Sequence, residues 1–253
     1  MWKKGQIAIF VIIALAIVGA IIVIVSYPQI STIVSPKEIS PQSYLSSCIE
    51  PDVKEAVEAL ARQGGEGNPS GYINYLNTKV KYLCYTSEYY KPCLIQQPLL
   101  ISHFEDELSG ILTPKAEQCA KSLINEYEKR GYSVSASKIN SDVSLGSGKV
   151  KIGFLMPMTI TNEETSKTFN GFDVSIENKI YDLLSIATSI VDYEATYGDS
   201  ETTTYIGYYP DLKIEKIKLE DGVKIYKLTN VLTDEMFQFA TRSLVWPPGY
   251  GLQ

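Results

Sequence analysis

The chain contains one histidine, His103, among 253 residues. A single imidazole excludes an HExxH centre and any metal site needing two histidines from one chain. It also makes every Ser/His/Asp or Cys/His scheme depend on that one residue as base. Basic residues are in deficit, 23 Lys and Arg against 29 Asp and Glu, for a net charge of -6. That balance offers no basic face for a phosphate backbone, so nucleic acid is not an expected partner. No Asn-x-Ser/Thr acceptor occurs, because Asn68-Pro69-Ser70 is disqualified by its proline. A role on an outer surface would therefore not depend on N-linked sugar. Hydrophobic residues make up 45% and charged residues 21%, which excludes wholesale disorder.

Charge is absent altogether between Lys4 and Lys37. Within that gap Ile7 to Val25 is a run of 19 residues without a hydrogen-bonding side chain. As a helix it would span roughly 28 Å, close to the ~30 Å hydrocarbon core of a bilayer. In lipid the backbone amides must be satisfied within the segment, so a helix is the expected state. Lys3 and Lys4 before the run place the N-terminus in the cytoplasm, and Tyr27 suits the far interface. The run is longer than the apolar core of a cleaved secretory signal, and Val25-Ser26-Tyr27-Pro28 lacks an Ala-x-Ala pattern. A retained anchor is the expectation, with the following residues outside the cell. Ala16 and Ala20 form a small-xxx-small step of the kind that lets helices approach closely, although alanine is common in any span.

Lys3-Lys4-Gly5-Gln6 directly before the apolar run resembles the class III signal of archaeal type IV pilin-like proteins. The resemblance implies cleavage between Gly5 and Gln6, with the helix kept on the mature chain. Such pilins carry Glu at the fifth mature position, where this chain has Phe10. The helix thus lacks the carboxylate that would pair with a neighbour's N-terminus, which weakens the filament expectation more than export. Over its length the chain is also similar to uncharacterised single-pass membrane proteins of small-genome archaea. The residues that carry this are Lys4-Gly5-Gln6, Cys48, Gly64-Gly65, Gly71-Tyr72-Ile73, Cys119 and the stretch Phe237 to Arg242. That second resemblance implies location and architecture, and no site.

The expected organisation is a signal and transmembrane anchor at 1–27, a stalk at 28–47, a helical disulfide-containing region at 48–131, an α+β domain at 132–245 and a tail at 246–253. The stalk rests on Pro28, Pro36, Pro41 and six serines. In the helical region Val53, Ala56, Val57 and Leu60 share a face that ends at Gly64-Gly65. The glycine-rich loop 64–71 lacks the lysine of a phosphate loop and carries Glu66, so it reads as a turn. Ser102 and Glu105 have capping-box spacing. Thr113-Pro114 is expected to start a further helix that ends at Gly131. The second half reads β-β-β-α-β-β-β, an α+β fold with a largely antiparallel sheet and one long packed helix. Its signals are a Ser147-Gly148 hairpin, a strand over 167–174, an amphipathic helix from Ile176 to Val191, an Asp221-Gly222 turn and a last strand with Phe237 and Phe239.

Cys48, Cys84, Cys93 and Cys119 all follow the apolar run, and an even count in an exported region predicts disulfides. Of three possible connectivities the nested one, Cys84–Cys93 inside Cys48–Cys119, is preferred. Metal is disfavoured because no CxxC pair exists, and a catalytic cysteine would need His103, which reads as a surface or capping residue. Glu105, Asp106, Glu107 and Glu163-Glu164 read as solvated acids. Asp199 and Glu201 could hold calcium, but a plain polar loop is favoured without an EF-hand pattern. Of the eighteen tyrosines, six cluster at 72–90 and three at 205–209, as interface or as core. The tail Trp246-Pro247-Pro248-Gly249-Tyr250 suits docking on a neighbour or disorder. The expected function is a single-pass membrane-anchored extracellular structural or adhesion protein, in one form a pilin-like subunit. A monomeric surface receptor or binding module is the alternative, and an ectoenzyme ranks below both. Expected partners are the lipid bilayer and other proteins, including further copies of the chain. No cofactor is expected.

Overall fold

A computed structural model describes residues 15–18 and 40–245. The chain divides into a unit over 1–40 and a compact unit over 41–253. In the first, residues 15–18 are helical. The rest of the apolar run, the processing residues Gly5 and Gln6, stalk residues 28–39 and the tail 246–253 lie outside the described residues. No helix among the described residues is long and apolar enough to cross a membrane.

The compact unit opens with helix α1, Pro41–Arg62. The stalk was expected to run to residue 47, but proline is well suited to the first turn, where its missing N–H has no partner to lose. Leu45, Ile49, Val53, Val57 and Leu60 recur on one buried face, so the packing stripe begins before Cys48. Gly64 and Gly65, at φ +79° and +88°, end the helix, and the Gly65 N–H donates to the Leu60 carbonyl at 2.8 Å.

Region 48–131 is not wholly helical, because three strands interrupt it. They are β1 (Tyr72–Tyr75), β2 (Thr78–Tyr85) and β3 (Leu94–Ile95). Leu76 and Asn77, both at positive φ, form the two-residue turn between β1 and β2. Leucine in that turn hides the signal that Asn-Gly would have given. Helix α2, Leu100–Lys129, then runs unbroken through Pro114. A new helix expected at Thr113-Pro114 does not form. Phe104, Leu108, Leu112, Ala116, Ala120 and Leu123 continue one buried stripe across the proline, and that packing outweighs the lost hydrogen bond. The capping box is also absent: the helix starts at Leu100 with no side-chain cap, and Glu105 instead accepts the Leu145 N–H at 2.8 Å.

The second half comprises β4 (Ser133–Ala136), β5 (Asn140–Gly146), β6 (Lys149–Thr161), β7 (Ser166–Glu177), α3 (Ile180–Tyr197), the short α4 (Thr203–Tyr208), β8 (Leu212–Lys218), β9 (Val223–Asn230) and β10 (Met236–Arg242). It therefore holds one strand and one short helix more than expected. Ser133-Val-Ser-Ala has a single large apolar residue, too little for an alternation signal. Between β8 and β9 the Asp221-Gly222 turn is present, with φ +53° and +70°, inside a four-residue connection.

Two sheets result, and the fold is mixed α+β. The smaller is all antiparallel. Strand β6 pairs β7 along one edge, and β5 and β4 share its other edge. Val150, Ile152, Phe154, Met156, Met158 and Ile160 alternate inward along β6. Helices α1 and α2 pack on each other, with α1 against β7 and α2 against β5. The larger sheet has the order β1-β2-β10-β9-β8, with β3 also on β2, and only the β2–β10 pair is parallel. Helix α3 covers its Tyr226, Phe237 and Phe239 face and also contacts β5 and β6, so it links both sheets. On the opposite face Val80, Ile225 and Ala240 are buried under Ile73, Tyr75, Tyr82 and Ile217.

Cys48–Cys119 ties α1 to α2 with Cα atoms 6.0 Å apart, and Cys84–Cys93 closes the loop after β2 at 5.4 Å. These are the nested bonds; Cys84, Cys93 and Cys119 are buried and Cys48 is half-buried. They close separations of 71 and 9 residues. Loop-closure entropy then assigns about 4 kcal/mol to the long bridge and about 2–3 kcal/mol to the short one. Urea unfolding of a Cys48→Ala/Cys119→Ala variant is expected to show a loss near the larger value, and Cys84→Ala/Cys93→Ala near the smaller. Equal losses would rule out the entropic account.

Candidate functional site

Residues 85–95 present the first tyrosine group to solvent. Tyr85, Tyr89 and Tyr90 are 37%, 54% and 62% exposed, with Leu94 at 73% beside them. Large apolar side chains at such exposure usually belong to a contact surface when they adjoin one another. The loop that carries them is held firmly. Cys84–Cys93 closes its base, the Thr86 N–H donates to the Arg242 carbonyl at 3.1 Å, and the Tyr90 N–H donates to the Leu244 carbonyl at 2.6 Å. Arg242 returns a guanidinium hydrogen bond to the Thr86 carbonyl and lies 5.8 and 5.9 Å from the Tyr85 and Tyr89 ring centres. Tyr82 meets Tyr85 edge-on at 5.1 Å. Next to this row is a cavity of about 400 Å³ lined by Tyr72, Tyr82, Tyr85, Lys81 and Gln96. Of the six tyrosines in 72–90, Tyr75 and Tyr82 are half-buried and the others lie outward. The bulk of this group is thus surface, and the buried tyrosines, Tyr127 and Tyr226, lie outside both concentrations.

Beneath the larger sheet is a buried charge network that the sequence reading missed. Glu194 is fully buried on α3, and its carboxylate accepts from Lys224 Nζ at 2.6 Å, from the Ser200 N–H at 3.0 Å and from the Tyr226 hydroxyl. Lys224 also donates to the Gly198 carbonyl at 2.5 Å. Asp199 is bound by Lys216, by Lys218 at 3.1 Å and by Lys224 at 3.3 Å. Burial raises the Asp199 pKa, but those three lysines outweigh it and hold the group at about 2. Tyr226 is pushed far up, first by burial and then by the Glu194 charge, so its phenol stays protonated as a donor. A signal existed. Glu194 continues the apolar stripe Leu183, Ala187, Ile190 and Val191, and Lys224 occupies an inward position of β9.

Asp199 is spent on lysines and Glu201 caps Thr203 through its N–H at 3.0 Å, so neither is arranged for calcium. No group of three or more acids, histidines or cysteines suited to a metal assembles among the described residues. His103 is not a free surface residue. It is half-buried with Nε2 unpartnered, and burial followed by the nearby Lys81 charge pushes its pKa down. Lys81 pairs with Glu66 from the glycine-rich loop, and Glu107 accepts the Gly67 N–H at 2.9 Å. Glu105 and Glu107 are therefore ties between α2 and its neighbours rather than merely solvated acids. Asp106, Glu163 and Glu164 are exposed. Comparison with family models, curated proteins and solved structures returns no match.

Two outcomes follow from the network. Replacing Glu194 with Gln removes the nearest counter-charge of buried Lys224 and leaves it Asp199 at 3.3 Å and the Gly198 carbonyl, so a loss of about 3 kcal/mol, the low end for a broken buried pair, is expected in urea unfolding. Asp199 is depressed in the folded state, so its contribution is complete above the unfolded value of 3.8 and is lost as pH falls through about 2. Stability measured against pH should fall across that window, and Asp199→Asn should flatten the fall. An unchanged acid limb in the variant would remove Asp199 from the account.

Proposed function

We propose that the chain is a single-pass membrane-anchored extracellular protein of structural or adhesive type, contacting other proteins through the Tyr85–Leu94 surface. The observation that carries the reading is the exposed aromatic row on a disulfide-closed loop. Tyrosine presents large area at low entropy cost, and fixing the loop beforehand lowers the ordering cost of binding. The uncharged run Ile7–Val25 after Lys3 and Lys4 supports the anchor, and two disulfides support an oxidising compartment outside the cytoplasm. The net charge of -6 accords with protein rather than nucleic-acid partners.

Within this reading the filament form would begin at Gln6 after cleavage of Gly5-Gln6. A monomeric binding module on the same anchor is the second reading, favoured by Phe10 in place of the filament carboxylate and by the cavity beside Tyr72. The test uses full-length protein from native membranes. A Tyr89→Ser/Tyr90→Ser double variant is expected to weaken self-association or cell attachment by at least about tenfold, roughly 1.4 kcal/mol, with its melting temperature unchanged. Unchanged association would overturn the assignment of this surface. N-terminal sequencing separates the two forms, since Gln6 first accords with the filament and an intact Met1 with the plain anchor.

A further inference from the structure

A second tyrosine-lined cavity, about 530 Å³, lies between α3, α4 and the start of β8. That volume is within the ~300–1,000 Å³ usual for small-molecule sites. Its aromatic lining is Tyr181, Tyr205 and Tyr209, and Tyr209 is 51% exposed. Ser189 holds Tyr205 in place through a hydroxyl contact of 2.9 Å. Around the rings are polar groups with unspent capacity. Asp211 lines the cavity and its carboxylate has no hydrogen bond or ion pair among the described residues. Asp182 has only a 3.9 Å approach to Lys179, which also lines the site. Asn230 uses its Oδ1 to accept the Leu232 and Thr233 N–H groups at 3.0 and 3.2 Å, which leaves its amide hydrogens as the donors toward a ligand. Ser185 donates to the Tyr181 carbonyl at 2.9 Å and retains its lone pairs.

The ligand class follows from that mixture. A cation offers no acceptor, and would leave the Asn230 amide and the Lys179 ammonium unmatched. An anion accepts only, and would face two carboxylates. Hydroxyl groups donate and accept at once, and a sugar ring adds an apolar C–H face that suits an aromatic ring. We propose that this cavity is a binding site for a neutral saccharide, with the tyrosine rings as platform and Asp182, Asp211 and Asn230 as hydrogen-bonding partners.

The site lies on different elements from the Tyr85–Leu94 loop, so each is tested without the other. Full-length protein with its disulfides intact is titrated with a panel of neutral mono- and oligosaccharides, followed by calorimetry and by chemical-shift changes at cavity residues. The expected result is saturable binding of at least one neutral sugar at millimolar concentration or below, with shifts confined to this cavity. Tyr209→Ala and Asp211→Asn, both at exposed positions, should each lower affinity about tenfold, while Tyr89→Ser/Tyr90→Ser leaves it unchanged. Absence of saturable binding across the panel overturns the proposal. So does binding that both cavity variants leave intact, or displacement of the sugar by a simple alkylammonium ion, which would mark a cation site.

Discussion

The buried carboxylate of Glu194 constrains how the two sheets are joined. Helix α3 touches both of them, and its apolar residues alone would permit small slides against Tyr226, Phe237 and Phe239. A charge at zero exposure permits none, because its partners must sit within hydrogen-bond reach or the desolvation cost is unmet. Lys224 and Tyr226 on β9, and the Ser200 N–H after the helix, meet that requirement together. The pairing ties α3 to β9 of the larger sheet, and α3 also contacts β5 and β6 of the smaller one.

Covalent ties act elsewhere. Cys48–Cys119 joins the helices over the smaller sheet, whereas Cys84–Cys93 stabilises a loop that buries few of its own side chains. A loop rich in exposed tyrosine contributes little packing energy of its own. Its order rests on the bridge, on two backbone hydrogen bonds to the end of β10 and on Arg242. The arrangement separates stability, carried by the helices and sheet cores, from recognition, carried by surface that the core does not need.

Much of the fold was legible in order along the chain. Alternation in Val150, Ile152 and Phe154, the stripe of α3, the Gly64-Gly65 stop and the Asp221-Gly222 turn each report a local period or a backbone conformation. The errors came where local preference lost to packing. Pro114 suggested a helix start, yet the stripe from Phe104 to Leu123 carried the helix through it. Pro41 suggested a stalk, yet it opens α1. Strands β1 to β3 were missed because a Leu76-Asn77 turn carries no glycine and the strands are short. Both tyrosine concentrations were visible as composition, but which rings face water was not.

The sequence by itself determined the apolar run after Lys3-Lys4, the even cysteine count, the lack of paired histidines and the α+β succession, since each depends on neighbours along the chain. Tertiary structure alone decided which cysteines meet, that Asp199 pairs with lysines instead of an ion, and that Tyr181, Tyr205 and Tyr209 share one cavity with Asp211 and Asn230. Apart from Cys84–Cys93 and the neighbours Tyr205, Tyr209 and Asp211, those contacts join residues on different elements. They exist only once the helices and sheets have packed, and no local period encodes them.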